Sequence, residues 1–125
     1  MSAPRPPGWP TVVPRLIAAD SDGLARFLQS VFGAEGEINA GRPTELVIGG
    51  DSVVLVSDGG GQREPSTAFL YVYVANADET YARALAAGAT GLEAPLDTAY
   101  GDRRAIIRDP GGNTWQIATH RRGGG

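Results

Sequence analysis

Tyr100-Gly101-Asp102-Arg103-Arg104-Ala105-Ile106-Ile107-Arg108-Asp109-Pro110-Gly111-Gly112-Asn113-Thr114-Trp115-Gln116-Ile117-Ala118-Thr119-His120 reads as two strands joined by a tight turn. Residues 103–108 have an apolar centre, Ala105-Ile106-Ile107, and predict the first strand. Asp109 to Asn113 is dense turn chemistry, because Pro presets one backbone angle while Gly and Asn tolerate positive φ. Residues 114–119 are rich in β-branched and aromatic side chains and predict the second strand. Asp109 is expected to form the turn.

Working outward, the same hairpin pattern occurs earlier, with strands over 44–48 and 52–57 around Gly49-Gly50-Asp51. A strand over 11–18 and a helix from a cap at Asp20 or Ser21 to Phe32, closed by Gly33, precede it. A short strand is expected near 37–40. After a Gly-rich polar connector over 58–65 the order starts again: a strand over 67–74, a helix over 78–87 closed by Gly88, and a short strand over 91–93. Val13 aligns with Phe69 at an offset of 56, and Gly49-Gly50-Asp51-Ser52 with Gly111-Gly112-Asn113-Thr114 at an offset of 62. This internal repeat predicts an α+β fold of two βαβββ modules whose curved mixed β-sheets form a cleft, with the helices on the outside. The expected domain spans 11–120, with module 1 over about 11–57 and module 2 over about 66–119. Flexible termini are expected over 1–10, which holds four prolines and Trp9, and over 121–125.

The whole chain, 125 residues, is one domain's worth and long enough to bury a core. A net charge of -3 gives no reason to expect nucleic acid or an anionic membrane surface as partner. The Pro-rich start carries no apolar run and no segment reaches transmembrane length, so a cytoplasmic location is expected. There is no Cys and every basic residue is Arg, which removes thiolate and lysine chemistry. With one His, a structural zinc site is also excluded.

The closing motif resembles the vicinal oxygen chelate superfamily, which holds glyoxalase I, bleomycin-resistance proteins and extradiol dioxygenases. It is most similar to the PhnB-like glyoxalase/bleomycin-resistance branch. Val13-Pro14-Arg15-Leu16, Val31-Phe32-Gly33-Ala34-Glu35 and Leu70-Tyr71-Val72-Tyr73-Val74 fit the same pattern, so the resemblance covers about 11–120. In metal-dependent members the ligands come from the first and last strands of each module. By the offsets above those positions are Val13, Val54, Phe69 and Gln116. Only Gln116 carries a donor, whereas a divalent ion needs several converging N or O ligands. No metal or other cofactor is expected, and metal-dependent lyase or dioxygenase chemistry is the least favoured reading. His120 reads as a terminal surface residue.

If the ligand positions that the resemblance implies face the cleft, strand alternation gives the rest of its lining. Phe69, Tyr71 and Tyr73 face in, as do Thr114, Gln116 and Ala118; Val13, Arg15, Ile17, Val54 and Val56 face in from the other module. Arg104 is a further polar handle. Such a lining suits a planar or apolar small molecule, and filling of the cleft by its own aromatics is the alternative. An inward Arg15 needs a carboxylate or a ligand anion, and Glu45 is a candidate partner. In Tyr100-Gly101-Asp102-Arg103, Asp102 could be a general base and Tyr100 a lid; the reading preferred is structural, with Asp102 and Arg103 paired with each other or with neighbours to fix the loop. Glu93 and Asp97 are expected to be solvated. Two functions follow. One is a metal-independent binder of a drug or natural product, as the resemblance implies for bleomycin-resistance proteins. The other is a metal-independent isomerase, cyclase or lyase for a secondary metabolite, with Asp102, Tyr100 and Arg15 as candidate acid–base residues. Whether the chain is an enzyme stays open. A homodimer is implied by the resemblance and by exposed strand edges.

Overall fold

The hairpin that opens the sequence argument forms as β6 (Asp102–Arg108) and β7 (Thr114–His120), paired antiparallel from Asp102↔His120 to Arg108↔Thr114. The structure is a computed structural model and describes residues 4–39 and 41–121. The other elements, in chain order, are β1 (Arg15–Ile17), α1 (Ser21–Phe32), β2 (Thr44–Ile48), β3 (Ser52–Ser57), β4 (Phe69–Tyr73), α2 (Ala77–Ala86) and β5 (Thr90–Asp97). The first sheet has the order β1-β3-β2 and the second β4-β7-β6-β5. In each, the first strand runs parallel to the last and the others are antiparallel. This is the expected α+β pair of modules.

Local chemistry sets the helix ends. Asp20 accepts from the Gly23 N–H at 2.9 Å and caps α1, and Gly33 closes it at φ +66°. Asn76 caps α2, and the Thr119 hydroxyl of β7 accepts from the Ala77 N–H while donating to the Val74 carbonyl. Each helix covers one face of its own sheet, and one core runs through both modules: Leu16, Leu46, Val54 and Val56 under α1, and Val72, Ile107, Trp115 and Ile117 beside it. Phe32 of α1 meets Trp115 at a ring separation of 4.8 Å, and Arg83 of α2 donates twice to the Val31 carbonyl.

Three expectations need correction. The strand near 37–40 does not form over 37–39; Glu35 makes a single bridge to Val47 instead, and Ala40 lies outside the described residues. The strand expected over 91–93 is longer, Thr90–Asp97, because register shifts between Gly91 and Leu96 let it follow β6 past irregular pairs. The first strand shortens to three residues, with Pro14 immediately before it able to accept, from the Leu55 N–H, but not to donate. Residues 1–3 and 122–125, within the expected flexible termini, also lie outside the described residues.

The turn between β6 and β7 is held by one buried carboxylate. Asp109 accepts from the backbone N–H of Gly111 (2.8 Å) and Asn113 (2.9 Å), from the Asn113 amide, and from the Trp115 indole at 2.7 Å. Asn113, fully buried, accepts in turn from the Ala68 N–H at 2.9 Å, just before β4. Removing an acceptor that several buried donors share strands them all, at about 1–3 kcal/mol each and not additively. Asp109→Ala is expected to lower unfolding free energy by roughly 3–5 kcal/mol in urea titrations, and Asp109→Asn, which keeps one acceptor oxygen, by less. Equal stability of Asp109→Ala and wild type would refute this assignment.

Candidate functional site

Alternation along β4 puts Leu70 and Val72 on the helix side and leaves Phe69, Tyr71 and Tyr73 on the open face, 70%, 38% and 62% exposed. The pairings Phe69↔Thr114, Tyr71↔Gln116 and Tyr73↔Ala118 place the β7 residues on the same face. Arg104↔Ala118 and Ile106↔Gln116 extend it across β6. Phe69, Tyr71, Tyr73, Arg104 and Gln116 are therefore brought together on one open sheet face.

At one end of that face sits Asp102, the first residue of β6 and only 2% exposed. Its Oδ2 accepts from the Tyr71 hydroxyl at 2.6 Å and the Tyr73 hydroxyl at 3.0 Å, and its Oδ1 faces His120 Nδ1 at 2.8 Å. Tyr100, in the β5–β6 turn, lies 3.3 Å from the Tyr71 hydroxyl and accepts from Arg104 Nη1 at 3.1 Å. Arg104 Nη2 donates to Glu93 at 2.7 Å, while its Nε is buried without a partner among the described residues. Glu93 is thus paired rather than solvated, which the sequence did not signal because the irregular register of β5 brings it across. Asp97 meets Arg121 at 3.0 Å. His120 is the last residue of β7 rather than past its end, and its ring stays exposed while it bonds Asp102.

Of the two arrangements expected for Asp102 and Arg103, with each other or with neighbours, the direct pair does not form. Neighbours on a strand point to opposite faces. Arg103 turns to the helix side and pairs with Asp78 at 3.0 Å and Asp97 at 3.5 Å. Asp102 turns to the open side, where phenols and an imidazole replace the cation.

Charges follow this wiring. The Tyr71 hydrogen bond, then that of His120, holds the Asp102 carboxyl below its ordinary value, against the effect of desolvation. Burial, then the bond to Asp102, pushes Tyr71 up, and Asp102 does the same to Tyr73. Tyr100 moves the other way, lowered by Tyr71 and by the Arg104 guanidinium.

The first module contributes differently from what was expected. The pairs Arg15↔Leu55 and Tyr71↔Gln116 make Leu55 the equivalent of Gln116, an offset of 61 rather than 62. Three residues separate β2 from β3 while five separate β6 from β7, so aligning the glycines matched turns and slipped the strands. A one-residue slip exchanges faces. Val54 and Val56 accordingly lie in the core, paired with Leu46 and with Leu16, not on the open face. Arg15 and Glu45 flank Leu55 on opposite sides, two strand spacings or about 9–10 Å apart in the backbone, and among the described residues they form no ion pair. Arg15 lines a polar cavity of about 690 Å³ with Asp20, Asp22, Arg42 and Asp58, away from the aromatic face. Val13 precedes β1 and is half-buried.

With the register corrected, the positions for a family-type metal hold Val13, Leu55, Phe69 and Gln116. Three hydrocarbons and one amide do not fit a divalent cation. Among the described residues, no three His, Asp or Glu side chains converge elsewhere.

A second cavity, of about 490 Å³, opens where the modules meet. Pro10, Val12 and Pro14 of the N-terminal segment form one wall, and Tyr71, Tyr73 and Trp115 contribute to the other. Val54 reaches it from the start of β3. No helix among the described residues is long and apolar enough to cross a membrane.

Because the folded-state value of Asp102 is depressed, its stabilising contribution is present above the ordinary carboxylate value and is lost as pH falls through the depressed one. The urea midpoint of the wild type is expected to drop as pH falls below about 4, whereas Asp102→Asn starts lower at neutral pH and shows a flatter acid dependence. Parallel pH profiles for the two proteins would refute the assignment.

Comparison with known proteins places this geometry. TioX from Micromonospora sp. ML1 is similar over 87% of this chain and 97% of its own, with 27% identity and a TM-score of 0.71. A glyoxalase/bleomycin resistance protein/dioxygenase family enzyme from Burkholderia phytofirmans PsJN aligns over 86% and 96%, with 23% identity and a TM-score of 0.72. TnmS3, an antibiotic binding protein from Streptomyces sp. CB03234, aligns over 86% and 93%, with 19% identity and a TM-score of 0.67. No curated protein matches the sequence. The family model for the glyoxalase/bleomycin resistance protein/dioxygenase superfamily matches residues 11–117, and the chain belongs to that superfamily.

Proposed function

We propose that this protein is a metal-independent binder of a small apolar or aromatic molecule, a drug or natural product, held against the open face of the second sheet. The observation that carries it is the stripe Phe69–Tyr71–Tyr73. Three large aromatic side chains stand exposed side by side, and two have their hydroxyls fixed on buried Asp102. Tyr71 and Tyr73 lie 5.3 Å apart at 51°, so their faces are set before any ligand arrives. Exposed aromatic patches of this kind mark binding surfaces, and fixed rings lose little entropy on stacking. The seam cavity beside the same tyrosines has the size and apolar lining of a small-molecule site. The antibiotic-binding description of TnmS3 supports the same reading by analogy of fold.

The open faces fit a homodimer in which each covers the other's ligand, and the cytoplasm is its proposed location. The finer placement in the PhnB-like branch rests on the closing motif and belongs to the same proposal.

The test uses the dye 1-anilinonaphthalene-8-sulfonate as aromatic probe, alongside native mass spectrometry. A dimer mass without metal adduct is expected after incubation with Ni, Mn, Fe or Zn. Phe69→Ala or Tyr73→Ala is expected to weaken dye binding about 3–10-fold, while added metal leaves it unchanged. One stoichiometric metal per site, or an affinity indifferent to both substitutions, would overturn this reading.

A further inference from the structure

The hydrogen bonds around Asp102 do more than fix two rings. They form an unbroken line across the sheet end: Tyr100 to Tyr71 at 3.3 Å, Tyr71 to Asp102 at 2.6 Å, and Asp102 to His120 at 2.8 Å. Both ends are open, with Tyr100 58% exposed and the His120 side chain 62%, while the carboxylate between them is buried.

Donor counting orients the line. An ionised carboxylate only accepts, so His120 Nδ1 carries the proton and Nε2 is the basic nitrogen left for solvent. The single Tyr71 proton goes to Asp102, the nearer acceptor. The Tyr71 oxygen is then the acceptor for the Tyr100 hydroxyl, whose own oxygen takes the Arg104 N–H. Loss of the Tyr100 proton leaves a phenolate beside Arg104, and rotation of the Tyr71 hydroxyl delivers its proton to it. The His120 Nδ1 proton then passes through Asp102 to the Tyr71 oxygen, and the exposed His120 ring takes its replacement from solvent.

We propose that Tyr100 is a proton-transfer residue of the open face, connected to solvent through Tyr71, Asp102 and His120, and that the ligand it serves is an aromatic carbonyl compound with an acidic C–H next to the carbonyl. This rests on the reading that an aromatic ligand occupies that face. In the step, the Tyr100 phenolate oxygen takes the proton from carbon. The C–H electron pair becomes the carbon–carbon π bond and the carbonyl π pair moves onto oxygen, giving an enolate. Reprotonation at the same carbon returns the substrate; at a conjugated position it gives an isomer. No oxidant, reductant or second substrate enters. The partly exposed Gln116 amide, on the same face, is the donor available to the enolate oxygen.

The ionisable groups facing Tyr100 and Tyr71 are Tyr73 from β4, Glu93 from β5, Asp102 and Arg104 from β6, and His120 from β7. Asp78, Asp97, Arg103 and Arg121 pair separately. The Tyr71 hydroxyl, once turned towards the phenolate, and then the Arg104 guanidinium favour ionised Tyr100 and lower it, which agrees with its use as a base nearer neutral pH than an ordinary phenol.

Deuterium incorporation from D2O into 2-tetralone and phenylpyruvate, followed by proton NMR, tests the proposal, with probe binding measured separately by saturation transfer. The wild type is expected to accelerate exchange of a bound probe by roughly 100-fold over buffer. Tyr100→Phe loses this with probe affinity within about twofold, and His120→Gln slows exchange in weak buffer and is rescued by imidazole. The rate should rise with pH through one ionisation below the ordinary phenol value, absent in Tyr100→Phe. A probe that binds the wild type without accelerated exchange, or exchange equal in wild type and Tyr100→Phe, overturns the proposal and leaves the binding reading standing. If neither probe binds, both fall.

Discussion

The carboxylate of Asp109 is the interaction on which the rest of this structure depends. It meets no cation among the described residues; its oxygens are shared among backbone, amide and indole N–H donors within one turn. A buried carboxylate of this kind is tolerable because its oxygens are saturated with hydrogen bonds. The consequences travel outward along the sequence. Trp115 is fixed against Phe32 and joins the two modules, while Asn113 holds the backbone just before β4. With the start of β4 and the start of β7 tied together, their parallel register is set, and Tyr71 falls opposite Gln116. The aromatic stripe faces away from the helices because a turn some distance from it has fixed the phase of two strands.

The same phase separates two charge systems that are adjacent in the chain. Asp102, Arg103 and Arg104 follow one another, yet alternation sends Arg103 under the sheet to Asp78 and keeps the other two above it. Arg103 therefore ties β6 to the first turn of α2, a partly exposed pair whose contribution is modest. Arg104 is committed to Glu93 and Tyr100 and does not reach Asp102. That leaves the Asp102 charge to be met by two phenols and an imidazole, groups that can themselves give up or take protons. A guanidinium in the same place would have made a static ion pair.

Much of this was legible in the sequence, and the failures have identifiable causes. The strands 44–48 and 52–57, the helix ending at Phe32 and Gly33, and the hairpin around Asp109 could be read because caps, turn residues and alternation agree there. The side-chain facing of β4 and β7 followed from parity once the ligand positions implied by the resemblance set Phe69 and Gln116 towards the cleft. What failed depended on register between distant segments. Matching Gly49-Gly50 to Gly111-Gly112 slipped β3 by one residue and moved Val54 and Val56 to the wrong face. Glu93 could not be paired with Arg104 while the irregular course of β5 was unknown. The sequence left Asp102 either Arg103 or another neighbour as partner, and no local signal points to tyrosines 31 and 29 residues away.

Correcting the slip does not restore a metal site; it replaces one valine by a leucine. The physical point is where this chain keeps its ionisable groups. The middle of the open face carries Tyr71, Ile106 and Gln116, with little that can bind or neutralise a cation. Asp102, Tyr100, Arg104, Glu93 and His120 gather at one end, where β6 begins and β7 finishes. An uncharged centre favours an uncharged planar body, because burying it there strands no charge. Polar atoms of such a ligand are then stable where donors and acceptors wait, at the Gln116 amide and at the end held by Asp102. Orientation of the ligand, and any proton it exchanges, are set at the rim of the sheet and not by a centrally bound ion.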